Sequence, residues 1–251
     1  MYKRQGVFGC FIRSVLTFAK PFKWNNIVEN AIQDSNYTYF ILCFHGHKYN
    51  RVKYQEIYKK IIDGLFLRIS KSSSLDALTY NNLGFIYHND IFKKNKVIKV
   101  ISHYCKAVNM NSKHAQYNLA TFIRLNYYKQ EFVKLLSKTV FKDSTLPISK
   151  EIIFKKIYEL YKLSASQFNP NAEHSLSTTC EFREFIGQKE RDKWLKKSAK
   201  NGLSISQYSI GTKYLGGDVT NRKYQKGIIY LKNSAKPVSY THLRAHETKA
   251  N

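Results

Sequence analysis

Two stretches of the chain decide its reading: WLKKSAK, Trp194–Lys200, and YLKNSAK, Tyr230–Lys236, which stand 36 residues apart and agree at five of seven positions. Repetition at such a spacing marks a chain built from supersecondary units that stack on one another. Working outward, WLKKSAKNGLSISQYSIG (Trp194–Gly211) lies without a gap over HYCKAVNMNSKHAQYNLA (His103–Ala120), and LYKLSASQFNPNAEHSLS (Leu160–Ser177) lies over the same stretch. Thr79, Leu83 and Gly84 fall 36 residues before Ala115, Leu119 and Ala120. Four units result.

The first part of each unit carries a large apolar residue followed by a small one: Leu83-Gly84, Leu119-Ala120, Leu176-Ser177 and Ile210-Gly211. The second part ends in a small or modest pair: Ala107-Val108, Ser164-Ala165, Ser198-Ala199 and Ser234-Ala235. The spacings between units are 36, 57 and 34, and the long one places an inserted loop around Lys142–Lys150 (KDSTLPISK). Both parts read as helical. Ala77, Tyr80, Leu83 and Tyr87 occupy one face of a helix over Asp76–Tyr87, and Ile228, Leu231 and Ala235 do the same near the end. The small residues admit a close helix crossing, with Tyr87 and Tyr214 filling the groove beside it. Gly216-Gly217 is expected to supply a left-handed turn between the last two helices. A two-helix unit cannot bury its apolar face alone, so the units are expected to stack into a solenoid.

At this point the residues resemble a known family. Ile210-Gly211, Tyr214, Gly217, Lys226-Gly227, Tyr230-Leu231 and Ser234-Ala235 are similar to the Sel-one-like repeat, a relative of the tetratricopeptide repeat. Leu83, Gly84, Tyr87, Lys99, His103, Tyr104 and Ala107 keep the same register. Gly227 and Ser234 replace the usual Ala, Val219 replaces a loop Gly, Lys223 stands where an acid is usual, and Asp90 replaces a Gly. The resemblance implies an all-α fold, a right-handed α/α solenoid of stacked two-helix repeats over 75–237. It leaves 6–74 as a helical N-terminal region of divergent repeats or a separate cap. In that region Tyr54, Ile57, Tyr58, Ile61, Ile62, Leu65 and Ile69 form an amphipathic helix pattern.

The two ends read differently. Written as GTG TAT AAG AGA CAG, the opening MYKRQ has a reverse complement that encodes Val-Ser-Tyr-Thr, which is the tail's Val238–Thr241, and begins the codon of His242. Both ends resemble translations of a transposase-type sequencing adapter. Residues 1–5 and 238–251 are therefore set aside, and the chain is read as an internal fragment of a longer gene.

The formal charge of +25 favours acidic partners, nucleic acid or an anionic membrane, unless it merely reflects codon composition. Cys10, Cys43, Cys105 and Cys180 form no close pair, which reads as inert thiols in a reducing compartment. No stretch has the ~20 consecutive apolar residues of a membrane span.

Little in the chain reads as chemistry. His45-Gly46-His47 has the spacing of a chelate but lacks an evident third ligand. There is no phosphate loop, nucleophile elbow or zincin motif, so neither catalysis nor a cofactor is expected. What remains is a surface. By the geometry the resemblance implies, the first helices line a concave groove for a protein or peptide partner. Its positions are Asn81, Phe85 and His88; Tyr117, Thr121 and Arg124; His174, Thr178 and Glu181; and Tyr208, Thr212 and Leu215. Lys93, Lys94, Lys193, Lys196 and Lys197 fall on second helices, with Lys197 assigned to the solvated side. The reading is a non-catalytic scaffold or adaptor. The alternatives are a basic surface for nucleic acid or anionic membrane, and the regulatory arm of a larger enzyme.

Overall fold

The computed structural model describes residues 63–64, 66–67, 75–88, 97–141, 148–216 and 221–235. His45-Gly46-His47, Lys93, Lys94, Gly217 and both chain ends lie outside them. The described chain is all-α, of the stacked helix-pair class of the α/α solenoids, with no strand among the described residues. Its helices are α1 (Ala77–His88), α2 (Val97–Asn109), α3 (Lys113–Asn126), α4 (Gln130–Leu136), α5 (Lys150–Ser166), α6 (Pro170–Thr178), α7 (Gln188–Lys200), α8 (Ser204–Leu215) and α9 (Asn221–Ala235). A π-helical turn, Ser137–Phe141, extends α4, and a 3₁₀ turn, Cys180–Glu184, follows α6. The described residues divide into two compact bodies, those up to Ile153 and those from Phe154 on.

In the first body, α1 and α2 run antiparallel: Lys106 Nζ lies 5.2 Å from the Tyr80 ring, while Lys99 Nζ lies 5.4 Å from the Tyr87 ring. Gly84 makes this crossing, because the Tyr104 ring occupies the space a Cβ would need. Tyr104 is fully buried there, and burying such a side chain contributes roughly 1.5–3 kcal/mol. Tyr87 stacks on His103 at 5.5 Å rather than filling a groove of its own helix. The buried amide of Asn118 on α3 donates to Asn81 Oδ1 on α1 at 2.9 Å.

In the second body the same arrangement recurs between α8 and α9. A Cβ on Gly211 would lie 2.7 Å from Leu231 Cγ and 3.1 Å from the Gly227 carbonyl, and one on Gly227 would lie 3.0 Å from Leu215. Tyr214 stacks on Tyr230 at 6.0 Å, as Tyr87 does on His103. In the third repeat the crossing position is Ser177, whose carbonyl accepts from the buried Arg191 Nε at 2.9 Å.

The small pairs close the first three repeats. Asn111 N–H reaches the Val108 carbonyl at 2.9 Å and Ser112 N–H the Ala107 carbonyl at 3.0 Å. Phe168 and Asn169 make the same two bonds to Ala165 and Ser164, and Gly202 and Leu203 make them to Ala199 and Ser198. This is a Schellman ending, which requires a left-handed residue after the helix. That residue is Asn111 (φ 59°), Phe168 (φ 59°) and Gly202 (φ 88°) in turn. The next residue starts the following helix: Ser112 accepts from Ala115 N–H, and Asn169 accepts from Asn171 N–H. Of the pair expected to supply the left-handed turn, Gly216 has φ −89° and Gly217 lies outside the described residues.

Ahead of the expected loop stands an additional helix, α4, whose Phe132 and Leu136 are buried. Residues 142–147 of that loop lie outside the described residues, and Lys150 already belongs to α5. Phe132 meets Phe122 edge-on at 5.4 Å, which ties α4 to α3.

Candidate protein-interaction site

The twelve groove positions separate once their neighbours are seen. Asn81 is fully buried against Asn118 of the next repeat, so it packs repeats together and lines no open groove. His88 is half-buried, with its ring 4.7 Å from Phe122 and Nδ1 3.4 Å from the Tyr104 hydroxyl. His174 occupies the position equivalent to Asn81 and likewise turns to the next repeat, where its Nδ1 lies 2.8 Å from Ser206 Oγ. Tyr117, Thr121 and Arg124 are half-buried on α3, and Phe85 is half-buried on α1. Glu181 is half-buried in the 3₁₀ turn, and Leu215 leans over Gly227. The exposed members are Thr178, Thr212 and Tyr208, the last 57% exposed. Hydroxyls of the two threonines donate back to the carbonyls of His174 and Tyr208.

Tyr208 stands in a stripe. Ile205, Tyr208 and Thr212 follow one face of α8, and Ile205 is 43% exposed. Ile205 was missed by the sequence reading. Its signal was the same spacing, three residues before Tyr208.

Polar groups fix the helices around this face. Ser198 Oγ lies 2.7 Å from the Pro170 carbonyl and 2.7 Å from Ser206 Oγ. Each hydroxyl has one proton, so Ser198 donates to Pro170, Ser206 donates to Ser198, and His174 donates from Nδ1 to Ser206. Burial lowers the His174 pKa, which suits the neutral Nδ1–H tautomer that this chain of bonds demands. Three helices are thereby pinned at one small residue.

Glu173, fully buried, accepts both contacts of the Asn201 amide at 2.8 and 3.0 Å, and Lys197 Nζ lies 3.9 Å away. Burial raises the Glu173 pKa, against the opposing pull of Asn201 and Lys197. Lys197 also lies over the Trp194 ring at 4.9 Å and the Phe168 ring at 5.6 Å, while its side chain stays 42% exposed. Lys193 and Lys196 are exposed. Among the described residues no group of three His, Cys, Asp or Glu is placed to hold a metal ion, and no helix is long and apolar enough to cross a membrane.

Comparison with known proteins gives the repeat its name. The chain is 99% identical over 230 residues to a sel1-like repeat-containing protein of Acanthamoeba polyphaga mimivirus, a match covering 92% of this chain and 45% of that protein. The chain carries Sel1-like repeats. A second sel1-like repeat-containing protein of the same virus is 26% identical over 212 residues, covering 80% of this chain and 34% of the relative. The chain thus spans less than half the length of these curated relatives. A Sel1 repeat protein from Oxalobacter formigenes shares the fold, with a TM-score of 0.50 at 22% identity over 82% of this chain and 70% of that one. No family model matches the chain. Sel1-like repeat proteins are generally protein-interaction scaffolds and typically non-catalytic.

Proposed function

We propose that this chain is a non-catalytic scaffold that binds a protein partner on the α8 stripe, with the partner presenting a helix. The observation that carries it is the exposure of Tyr208 together with what its equivalents do. At two of the three matching positions, Asn81 and His174 meet a helix of the following repeat, α3 and α8 respectively, and the third, Tyr117, is half-buried. The stripe of Ile205, Tyr208 and Thr212 is the same face of its repeat, exposed among the described residues. An amphipathic helix laid in such a face is held by apolar anchors at helical spacing.

The test places a photo-crosslinking residue at position 205, identifies the captured protein, and measures its affinity for three forms of the chain. Tyr208→Ala should lower affinity roughly thirtyfold or more, as truncated aromatic anchors commonly cost 2 kcal/mol. Neutralising Lys193 and Lys196 should change the association rate and its salt dependence more than the lifetime of the complex. A reversed ranking, with lysine loss flattening a steep salt dependence and tyrosine loss silent, would favour nucleic acid or anionic membrane and defeat the scaffold reading.

A further inference from the structure

A cleft of about 410 Å³ opens on another side of the second body, between the end of α7 and the α8–α9 pair. Its walls are Lys200, Gln207, Tyr214, Lys226, Tyr230 and Asn233, with Ala199 and Ile229 completing the apolar part. Register sets this pair apart from those of the first and third repeats. The positions of Gln207 and Asn233 correspond to Tyr80 and Lys106 in the first repeat and to Glu173 and Lys197 in the third. Those two pairs bridge their helices, by a cation over a ring at 5.2 Å and by an ion pair at 3.9 Å. Gln207 and Asn233 are shorter and neutral. Gln207 turns its amide to the Ala199 carbonyl at 3.1 Å, and no bridge closes the gap.

We propose that this cleft binds an acidic peptide segment of a partner protein. The charge is one-sided: Lys200 and Lys226 are both exposed, no carboxylate lines the cleft, and neither lysine has an acidic partner among the described residues. Ile229, 56% exposed, and the edges of the stacked tyrosines give the apolar surface that a peptide side chain needs. Asn233 offers amide groups that match a peptide backbone. The volume lies in the usual range of roughly 300–1,000 Å³ for small-molecule and cofactor sites. Nucleic acid fits less well, since Tyr214 and Tyr230 face each other rather than an incoming base, and two cations do not make a phosphate track.

This site is separate from the α8 stripe, and its test keeps them apart. A fluorescent decapeptide of alternating glutamate and leucine is titrated into the chain, with its lysine-for-glutamate counterpart and an oligothymidylate as competing probes. Saturable binding of the glutamate peptide is expected. Lys200→Glu with Lys226→Glu should weaken it at least tenfold. So should Gln207→Tyr with Asn233→Lys, which restores the bridging pair of the first repeat. Tyr208→Ala should leave it unchanged. Circular dichroism checks folding, and the exposed single change Lys200→Glu serves if the filled variant fails to fold. The proposal is overturned by absent saturation, by a filled cleft that binds as well as the wild type, or by equal binding of either competing probe.

Discussion

Among the described residues, Phe168 is the one most at odds with its backbone. At φ 59° its Cβ crowds the carbonyl, a conformation that only glycine adopts without cost, and its ring is 64% exposed with Lys197 nearby. Phe168→Gly should therefore stabilise the chain by about 1 kcal/mol, read as a shift in denaturant midpoint, because the lost exposed cation–ring contact is worth less than the relieved strain. Phe168→Ala keeps the same conflict and should not stabilise; equal gains from both would dismiss the backbone explanation. The same residue shows what the sequence concealed. A left-handed position is legible when glycine or asparagine fills it, as at Gly202 and Asn111, but Phe168 carries no such sign.

Between elements, the crossings were legible and the neighbours were not. A helix pair that approaches closely must place a small residue where the large one enters, so Gly84 with Tyr104 and Gly211 with Leu231 leave a periodic trace in the chain. Gly211→Ala tests this. Alanine favours an isolated helix by about 1 kcal/mol, yet its methyl would meet Leu231 Cγ at 2.7 Å, and overpacking should reverse the gain to a net loss of about 1–2 kcal/mol. Adding Leu231→Ala should make the double variant less destabilised than the two single losses combined; strict additivity would place the strain elsewhere. Helical spacing gives the residues of one face but not what covers that face. That is why Asn81 and His174, read as groove positions, turned out to meet the following repeat. It is also why α4 went unseen, since its Phe132 and Leu136 belong to no repeat register.

For the whole molecule, buried histidines shape its response to acid. Burial, reinforced by Lys106 and Lys99, lowers the pKa of His103 from 6.5 to about 4. The unfolded chain then binds the proton more readily, so this contribution to stability is complete above pH 6.5 and is lost as pH falls toward 4. His88 and His174, also lowered by burial, act in the same direction, while Glu173, raised by burial, acts in the opposite one. His103→Gln should remove about 1–2 kcal/mol of the acid-induced loss after solvent screening, measured by urea unfolding at neutral and mildly acid pH. An unchanged acid loss in that variant would show that the histidine is not the titrating group.

The joint between repeats has one further consequence, for how such a chain can lengthen. From the second residue of the small pair to the next starting cap, the chain always takes the same number of residues: Val108 to Ser112, Ala165 to Asn169, Ala199 to Leu203. Two backbone hydrogen bonds close each joint, so an added residue there would break them and rotate everything downstream. The interior of a repeat carries no such lock, and the extra helix α4 sits there. Growth by insertion is thus confined to one kind of place, and evolution can enlarge a unit without disturbing the stacking of its neighbours. A glycine-serine pair inserted at Gly187, where nothing lies within 4 Å of a prospective Cβ, should leave a cooperative melt close to that of the parent. The same pair placed between Asn111 and Ser112 should abolish cooperativity, and tolerance there would show that the joint is not what holds successive units in step.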